Sequence, residues 1–246
     1  MKILFTLCGR AGSKGCKNKN IRDFLGHPLF YYSINAIERF CAKNHYEYRI
    51  GISTDSPDFV KLVKKNNNII VINRSADLAM DNTPKMAAIR DCALQIKNKY
   101  GFDYDLVMDF DITSPIRTIA DIENGLKVFE NGSYDCVFSV TKARRNPYFN
   151  MVKCVDGEYS KALESNFTTR QQAPKMFDMN ASIYIYKNKF LLDEKNYSPL
   201  QKKFGIFEMM DTGIIDIDDD EDFEMMAIIA NYLKNHKEEY KEILDF

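Results

Sequence analysis

Short apolar runs alternate along this chain with segments whose apolar residues recur every three or four positions. Runs at 2–7, 48–53, 69–72, 105–110 and 136–140 read as buried β-strands, too short for helices and rich in β-branched and aromatic residues. Helical patterns with their own start signals lie between them. One begins at Pro28 and runs to about residue 43. Ser56-Pro57 supplies a cap followed by proline at the first helical position, and Thr83-Pro84 repeats the device before a helix over 85–99. Thr118, with Asp121 three residues on, opens another. This alternation predicts βαβ units, hence an α/β fold with a mostly parallel sheet and helices on both faces.

The pattern changes after about residue 141. Residues 148–160 read as a hairpin turning at Asp156-Gly157, and 179–186 as a further strand, apolar on both faces. The stretch of about 143–200 is therefore expected to be an insertion or β-rich arm within a single domain spanning 1–246. A last short strand is expected at 214–217. The acidic run 218–222 then starts a helix with Phe223, Met226, Ala227 and Ala230 on one face. Asp218 and Glu221 have the spacing of a capping box, a structural role that competes with a ligand-holding one for Asp218.

Composition narrows the partners. The chain carries 34 basic and 35 acidic residues, net −1, which argues against a nucleic-acid binder. Four cations cluster near the start, at Arg10, Lys14, Lys17 and Lys19, and against a neutral background they suggest a small anionic ligand. The six cysteines (Cys8, Cys16, Cys41, Cys92, Cys136, Cys154) form no C-x-x-C pair and read as reduced thiols of a cytoplasmic protein. There is no secretory h-region and no run long enough to span a membrane, so no membrane partner is expected. The three histidines show no triad or metal spacing.

Ligands of parallel sheets bind beyond the carboxyl ends of the strands. The first strand runs into Cys8-Gly9-Arg10-Ala11-Gly12-Ser13-Lys14-Gly15 and then Lys19-Asn20. Glycines let a backbone approach a ligand closely and turn its N–H groups inward. Ser53-Thr54-Asp55 follows the second strand. Asp109-Phe110-Asp111 and Thr113-Ser114-Pro115-Ile116-Arg117 follow the fourth, and Asp216-Ile217-Asp218 closes the series. One sheet edge thus gathers cations, hydroxyls and carboxylates, a composition that suits a metal–nucleoside triphosphate complex. The loop is neither a Walker A nor a G-x-G-x-x-G sequence, and taken alone it also reads as a tight turn with solvated lysines. Asp216 and Asp218 would point to opposite faces of a straight strand, so sharing one ion requires a bend there. Arg170-Gln171, near Thr168, Thr169 and Asn180, could read carboxylate and sugar groups or be a solvated loop.

Together these segments resemble the bacterial cytidylyltransferases that activate nine-carbon sialic-type sugars, the CMP-sialic acid synthetases. Residues 8–15 with Lys19-Asn20 are similar to that family's A-R-G-G-S-K-G…K-N loop. Ser53-Thr54-Asp55 matches its S-T-D, Arg74…Leu78-Ala79-Met80-Asp81 its R-P…L-A-x-D, and Thr113-Ser114-Pro115-Ile116-Arg117 its T-S-P-L-R. Thr169-Arg170-Gln171 and Asn180-Ala181 resemble the R-Q-Q and N-G-A segments, and Asp216-Ile217-Asp218 the terminal D-I-D. Residues 145–150 and 167–175 look most similar to the branch acting on legionaminic acid.

The resemblance implies a Rossmann-like nucleotidyltransferase fold, CTP as co-substrate and Mg²⁺ or Mn²⁺ on Asp216 and Asp218. It implies nucleotide contacts from Arg10, Gly12, Ser13, Lys14, Lys19, Asn20, Arg74 and Asp81, with Lys19, Arg10, Asp216 and Asp218 carrying the catalysis. It implies acceptor contacts from Asp111, Thr113, Ser114, Arg170, Gln171 and Asn180, and a homodimer that exchanges its β-rich arms. Three departures touch the acceptor or the loop. Ala11-Gly12 replaces a glycine pair, Asp111 stands where many relatives carry glutamine, and Phe149 or Asn150 falls where some place a lysine. A synthetase for the eight-carbon acid Kdo is the nearest rival, and that branch carries Q-G-D-E-P where this chain has Asp111-Ile-Thr-Ser-Pro115. A nucleotide-binding module without catalysis is the rival of another class.

Overall fold

The computed structural model describes residues 1–12, 15–64, 66–212 and 216–246. The first half of the chain runs through β1 (Lys2–Cys8), a small hairpin of β2 (Asp23–Phe24) and β3 (His27–Pro28), α1 (Phe30–Asn44), β4 (Glu47–Thr54), α2 (Pro57–Leu62) and β5 (Ile69–Asn73). It continues through α3 (Lys85–Tyr100), β6 (Leu106–Phe110), α4 (Ile119–Asn131) and β7 (Cys136–Lys142). The second half comprises the hairpin β8 (Val152–Val155) and β9 (Glu158–Lys161), then β10 (Phe177–Lys187), α5 (Asn188–Leu191), β11 (Phe204–Glu208), α6 (Asp220–His236) and α7 (Glu238–Leu244).

Seven strands form one sheet in the order β11-β7-β10-β6-β1-β4-β5. Every pairing is parallel except the two made by β10, which runs antiparallel between β6 and β7. Residues 3–7 of β1 are all buried, as expected for a parallel strand covered on both faces. Ile3, Phe5 and Leu7 join the core under α1, α4, α6 and α7, whereas Leu4 and Val107 face the core under α3 and α5. The alternation of one strand thus feeds two separate cores.

The start signals are realised with two corrections. The Ser56 hydroxyl accepts from the Phe59 amide, and Thr118 with Asp121 forms the reciprocal box. Thr83 is different: Pro84 occupies the cap position of α3 without a side-chain cap, and the Thr83 hydroxyl donates instead to the Asp77 carbonyl at 2.7 Å. The capping box of α6 is Asp219 with Asp222, not Asp218 with Glu221. The acidic run offers the same spacing twice, one residue apart, and the later pair takes the helix. Asp218 is therefore not spent as a cap.

The expected hairpin is β8–β9, with Asp156 at φ 53° and Gly157 at φ 86°, the left-handed pair that a two-residue turn requires. Residues 179–186 belong to a different place. β10 is central to the main sheet, and its two apolar faces are those of a strand with helices on both sides. Of the stretch 143–200, β10 is in the sheet, the hairpin precedes it, and α5 with the turns up to residue 200 follows it. The strand expected at 214–217 falls partly outside the described residues, and Asp216 and Ile217 are not in a strand. The last strand of the sheet along the chain is β11, at one edge and parallel to β7, which the apolar pattern does not announce because glycine interrupts Phe204-Gly-Ile-Phe-Glu.

Candidate active site

The parallel strands bring the carboxyl ends of β1, β4, β5 and β6 to one edge. A cleft of about 430 Å³ opens there, lined by residues from the loop after β1, the segment after β5, the start of α3, the end of β6 and the stretch before α6. Gly12 adopts φ +75°, open to glycine without strain. A Cβ at Gly15 would lie 2.2 Å from the Asp218 carbonyl oxygen, so only glycine lets the loop backbone rest against that segment. The Lys19 ammonium donates to the Ile217 carbonyl and lies 3.6 Å from Asp218 Oδ1. The buried Asn20 amide donates to the Arg10 carbonyl at 3.3 Å. Arg10 crosses the cleft mouth: its Nη1 is 2.5 Å from Asp81 Oδ1 and donates to the Ala79 carbonyl at 3.1 Å. Arg74 is buried beneath, with Nε donating to Ser53 Oγ at 3.0 Å and Nη2 to the Ser53 carbonyl at 2.8 Å.

The floor of the cleft is an ion triad. Lys85 lies 2.8 Å from Asp109 Oδ2 and 2.7 Å from Asp111 Oδ2. Burial opposes its charge, but Asp109 and Asp111 outweigh that and hold the ammonium well above the ordinary lysine range. Burial likewise pushes the Asp111 carboxyl up, and Lys85 with the Thr113 amide and hydroxyl more than reverses it. Below, the fully buried Arg117 guanidinium donates to the carbonyls of Asp111 and Ser114 and to the hydroxyls of Ser33 and Ser182. It stacks over Phe110 at 4.7 Å and fixes the T-S-P turn. Cys8 lines the same cleft, but burial and then Asp109 push its thiol up to about 12, so it stays neutral and is no nucleophile.

Asp216 and Asp218 both line the cleft, in the segment that the loop rests against. Burial, then Asp218 and Asp111, push the Asp216 carboxyl up to about 6, with Lys19 pulling the other way. Two neighbouring carboxylates, one of them destabilised as an anion, are a donor set that a hard divalent cation relieves. The bend between them, out of strand geometry, is what the sequence argument required.

Not every expected residue arrives here. Arg10, Lys19, Asn20, Arg74, Asp81, Asp111, Thr113, Asp216 and Asp218 share the cleft. Ser114 and Asn180 line an adjoining hollow with Thr141 and Met210, and Asn180 Oδ1 accepts from Ser139 Oγ at 2.6 Å. Arg170 and Gln171 lie in a third place, a groove of the arm shared with Lys142, Asn146 and Lys175. Ser13 and Lys14 lie outside the described residues. Lys85 was not anticipated; the one signal for it is a lysine at a helix's first residue, where the dipole disfavours a cation.

The chain matches the family model for cytidylyltransferases over residues 7–243. It is 39% identical over 229 residues to a Campylobacter coli protein named post-translational flagellin modification protein B, across 93% of this chain and 94% of that one. It is 38% identical over 234 residues to the CMP-N,N'-diacetyllegionaminic acid synthase of Campylobacter jejuni, across 95% and 97% of the two chains. The solved structure of CMP:2-keto-3-deoxy-manno-octonic acid synthetase complexed with CTP superposes with a TM-score of 0.65 at 14% identity, covering 94% of this chain and 99% of that one. That likeness bears on the fold, which is the nucleotidyltransferase architecture expected from the sequence.

Proposed function

Because the chain belongs to the cytidylyltransferase family, we propose that it transfers CMP from CTP to a nine-carbon α-keto acid sugar of the legionaminic or sialic type. The observation that carries this reading is the whole-length similarity to a CMP-N,N'-diacetyllegionaminic acid synthase, in a chain whose glycine–lysine loop and Asp216 and Asp218 line one cleft. The anomeric hydroxyl oxygen bonds to the α-phosphorus as the α,β-bridging bond breaks. Diphosphate leaves with that electron pair, and the hydroxyl proton passes to solvent. No protein nucleophile takes part, in keeping with the neutral Cys8 thiol.

Arg10, Lys19 and the loop, with Gly12, Ser13 and Lys14, receive the phosphates. Lys19 exchanges Ile217 and Asp218 for phosphate oxygens, and Asn20 steadies the loop through the Arg10 carbonyl. Arg74 and the segment ending at Asp81 flank the nucleoside. Asp216 and Asp218 are the residues to hold Mg²⁺ or Mn²⁺, whose chemistry here is neutralisation of phosphate charge during the displacement. Positioning and charge balance supply the catalysis. Asp111 and Thr113 meet the acceptor, with Ser114 and Asn180 in the neighbouring hollow.

Arg170 and Gln171 act on the acceptor across a homodimer, each arm serving the other copy. Their separation from the cleft of their own chain favours this, as does the apolar exposure of the hairpin, where Val152 and Tyr159 are 74% and 76% exposed. The free cysteines suit a cytoplasmic setting, and no described helix is long and apolar enough to cross a membrane. The test is diphosphate release from CTP and Mg²⁺ with N,N'-diacetyllegionaminate, N-acetylneuraminate, pseudaminate and Kdo. The expected result is the highest kcat/KM with a nine-carbon acid. Preference for Kdo, or no release with any nine-carbon acid, refutes the reading.

A further inference from the structure

The ion triad on the cleft floor is built at odds with local preference. Lys85 is the first residue of α3, where the helix dipole repels a cation. Two carboxylates compensate, and they are not alike. Asp109 is fully buried and holds the Thr6 hydroxyl at 2.7 Å with its other oxygen. Asp111 lines the cleft, its side chain 19% exposed, with its other oxygen on the amide and hydroxyl of Thr113. A lysine needed only to satisfy a buried aspartate would pair with Asp109 alone. The second pairing is on the ligand side.

We propose that Lys85 is a specificity-determining positioning residue: by pairing with Asp111 it offsets the charge of a cleft carboxylate that would otherwise face an acidic acceptor uncompensated. The proposal rests on the reading above, that the acceptor carries its own carboxylate. Such an acceptor must enter beside a triphosphate and past Asp216 and Asp218. Asp111 already acts electrostatically on Asp216, so an uncompensated charge at Asp111 adds to the same negative wall. Arg10 and Lys19 lie on the loop side and are taken by phosphate. Arg117 reaches Asp111 only through its backbone carbonyl. Among the described residues, Lys85 is the cation that pairs with the Asp111 carboxylate.

The experiment measures steady-state diphosphate release by the full chain, varying the acidic sugar at saturating CTP and then CTP at saturating sugar, with CTP binding followed by calorimetry. The variant is Lys85→Met, which makes the triad one charge more negative; Lys85→Met combined with Asp109→Asn, which restores the triad's net charge and leaves no unpaired carboxylate in the core, is run beside it. The expected result for Lys85→Met is a rise of about tenfold in KM for the sugar acid, the effect of one charge roughly 10 Å away at an effective dielectric near 20, and for the charge-conserving double variant a smaller rise in the same direction. KM and Kd for CTP are expected to change less than about threefold, within the ordinary spread for a residue outside the contact set. Adding Asp111→Asn should bring the sugar KM back towards the wild-type value. Parallel rises in both KM values, a loss confined to kcat, or no relief from Asp111→Asn overturns the proposal. The wild-type acceptor panel decides the activity separately, and the acid it prefers is the one varied here. A wild-type enzyme that takes only an uncharged acceptor overturns both.

Discussion

Replacing Asp216 by asparagine should make the protein more stable and nearly inactive at once. Burial, followed by Asp218 and Asp111, lifts this carboxyl from 3.8 to about 6. For a fully dry group that rise corresponds to about 3 kcal/mol. Asp216 is only partly buried, and solvent screening reduces the cost to about 1 kcal/mol. The sign follows from proton binding. The folded state holds the proton more tightly than the unfolded chain, so the penalty is complete above about pH 6 and fades as pH falls from there towards 3.8. Asp216→Asn should therefore raise Tm by about 2–4 °C at pH 8 without divalent metal. The two curves should converge near pH 4. Turnover should fall by at least about 100-fold, since one of the two carboxylates proposed to hold the charge-neutralising cation is lost. Thermal unfolding by circular dichroism at both pH values in EDTA, beside a diphosphate-release assay, measures both halves. Titrating Mg²⁺ with CTP should stabilise the wild type and do less for the variant. A variant less stable than the wild type at pH 8, or one with near-normal turnover, refutes the reasoning.

Three further outcomes are expected. Asp218→Ala, which removes a carboxylate that caps no helix, should cut turnover by about 100-fold or more with Tm within a few degrees of the wild type, because exposed positions outside a cap carry little stability; near-normal rates would remove it from the metal site. Arg170→Ala should raise the apparent KM for the sugar acid more than that for CTP, and mixing it with an Asp218→Ala chain should restore activity beyond the sum of the two if the arms serve the partner copy. Gly15→Ala should raise KM for CTP by about tenfold or more, since a Cβ 2.2 Å from the Asp218 carbonyl forces the phosphate loop off the metal segment; an unchanged KM would mean that the loop does not bind phosphate in this position.

The strands were legible because a parallel strand under two helical layers has no polar face to hide, as the buried run of β1 illustrates. The caps at Ser56 and Thr118 were legible because one side chain within three residues decides them. Residues whose role depends on distant chain were not. The apolar faces of β10 announce burial, but nothing local says that it returns to lie between β6 and β7 rather than in the arm. Asp218 and Asp219 each have an acid three residues on, and only the path of the chain from the cleft chooses between them. Lys85 reads as an ordinary surface lysine until Asp109 and Asp111 arrive from 24 and more residues away in sequence.

Those distant pairings also explain the balance of charge in the cleft. Arg10 is matched with Asp81, Lys19 with Asp218, and Lys85 with Asp111. Asp216 forms no such pair among the described residues, and its carboxyl is the one pushed upward. Lys85 is shared between Asp111 and the buried Asp109, so the carboxylates around the cleft are largely but not fully offset, and Asp216 is the one left without a paired cation among the described residues, at the place proposed for a divalent cation. In the proposed function an entering triphosphate exchanges the carboxylate partners of Arg10 and Lys19 for its own oxygens, which would free Asp218 beside Asp216 as phosphate charge arrives. Lys85 lies outside that exchange, because a fully buried Asp109 anchors it from below. The same fold therefore holds two kinds of lysine. Lys19 lies 3.6 Å from Asp218 and also donates to the Ile217 carbonyl, partners that the proposed function has it exchange for phosphate, whereas Lys85 is held between two carboxylates and offsets the charge of Asp111.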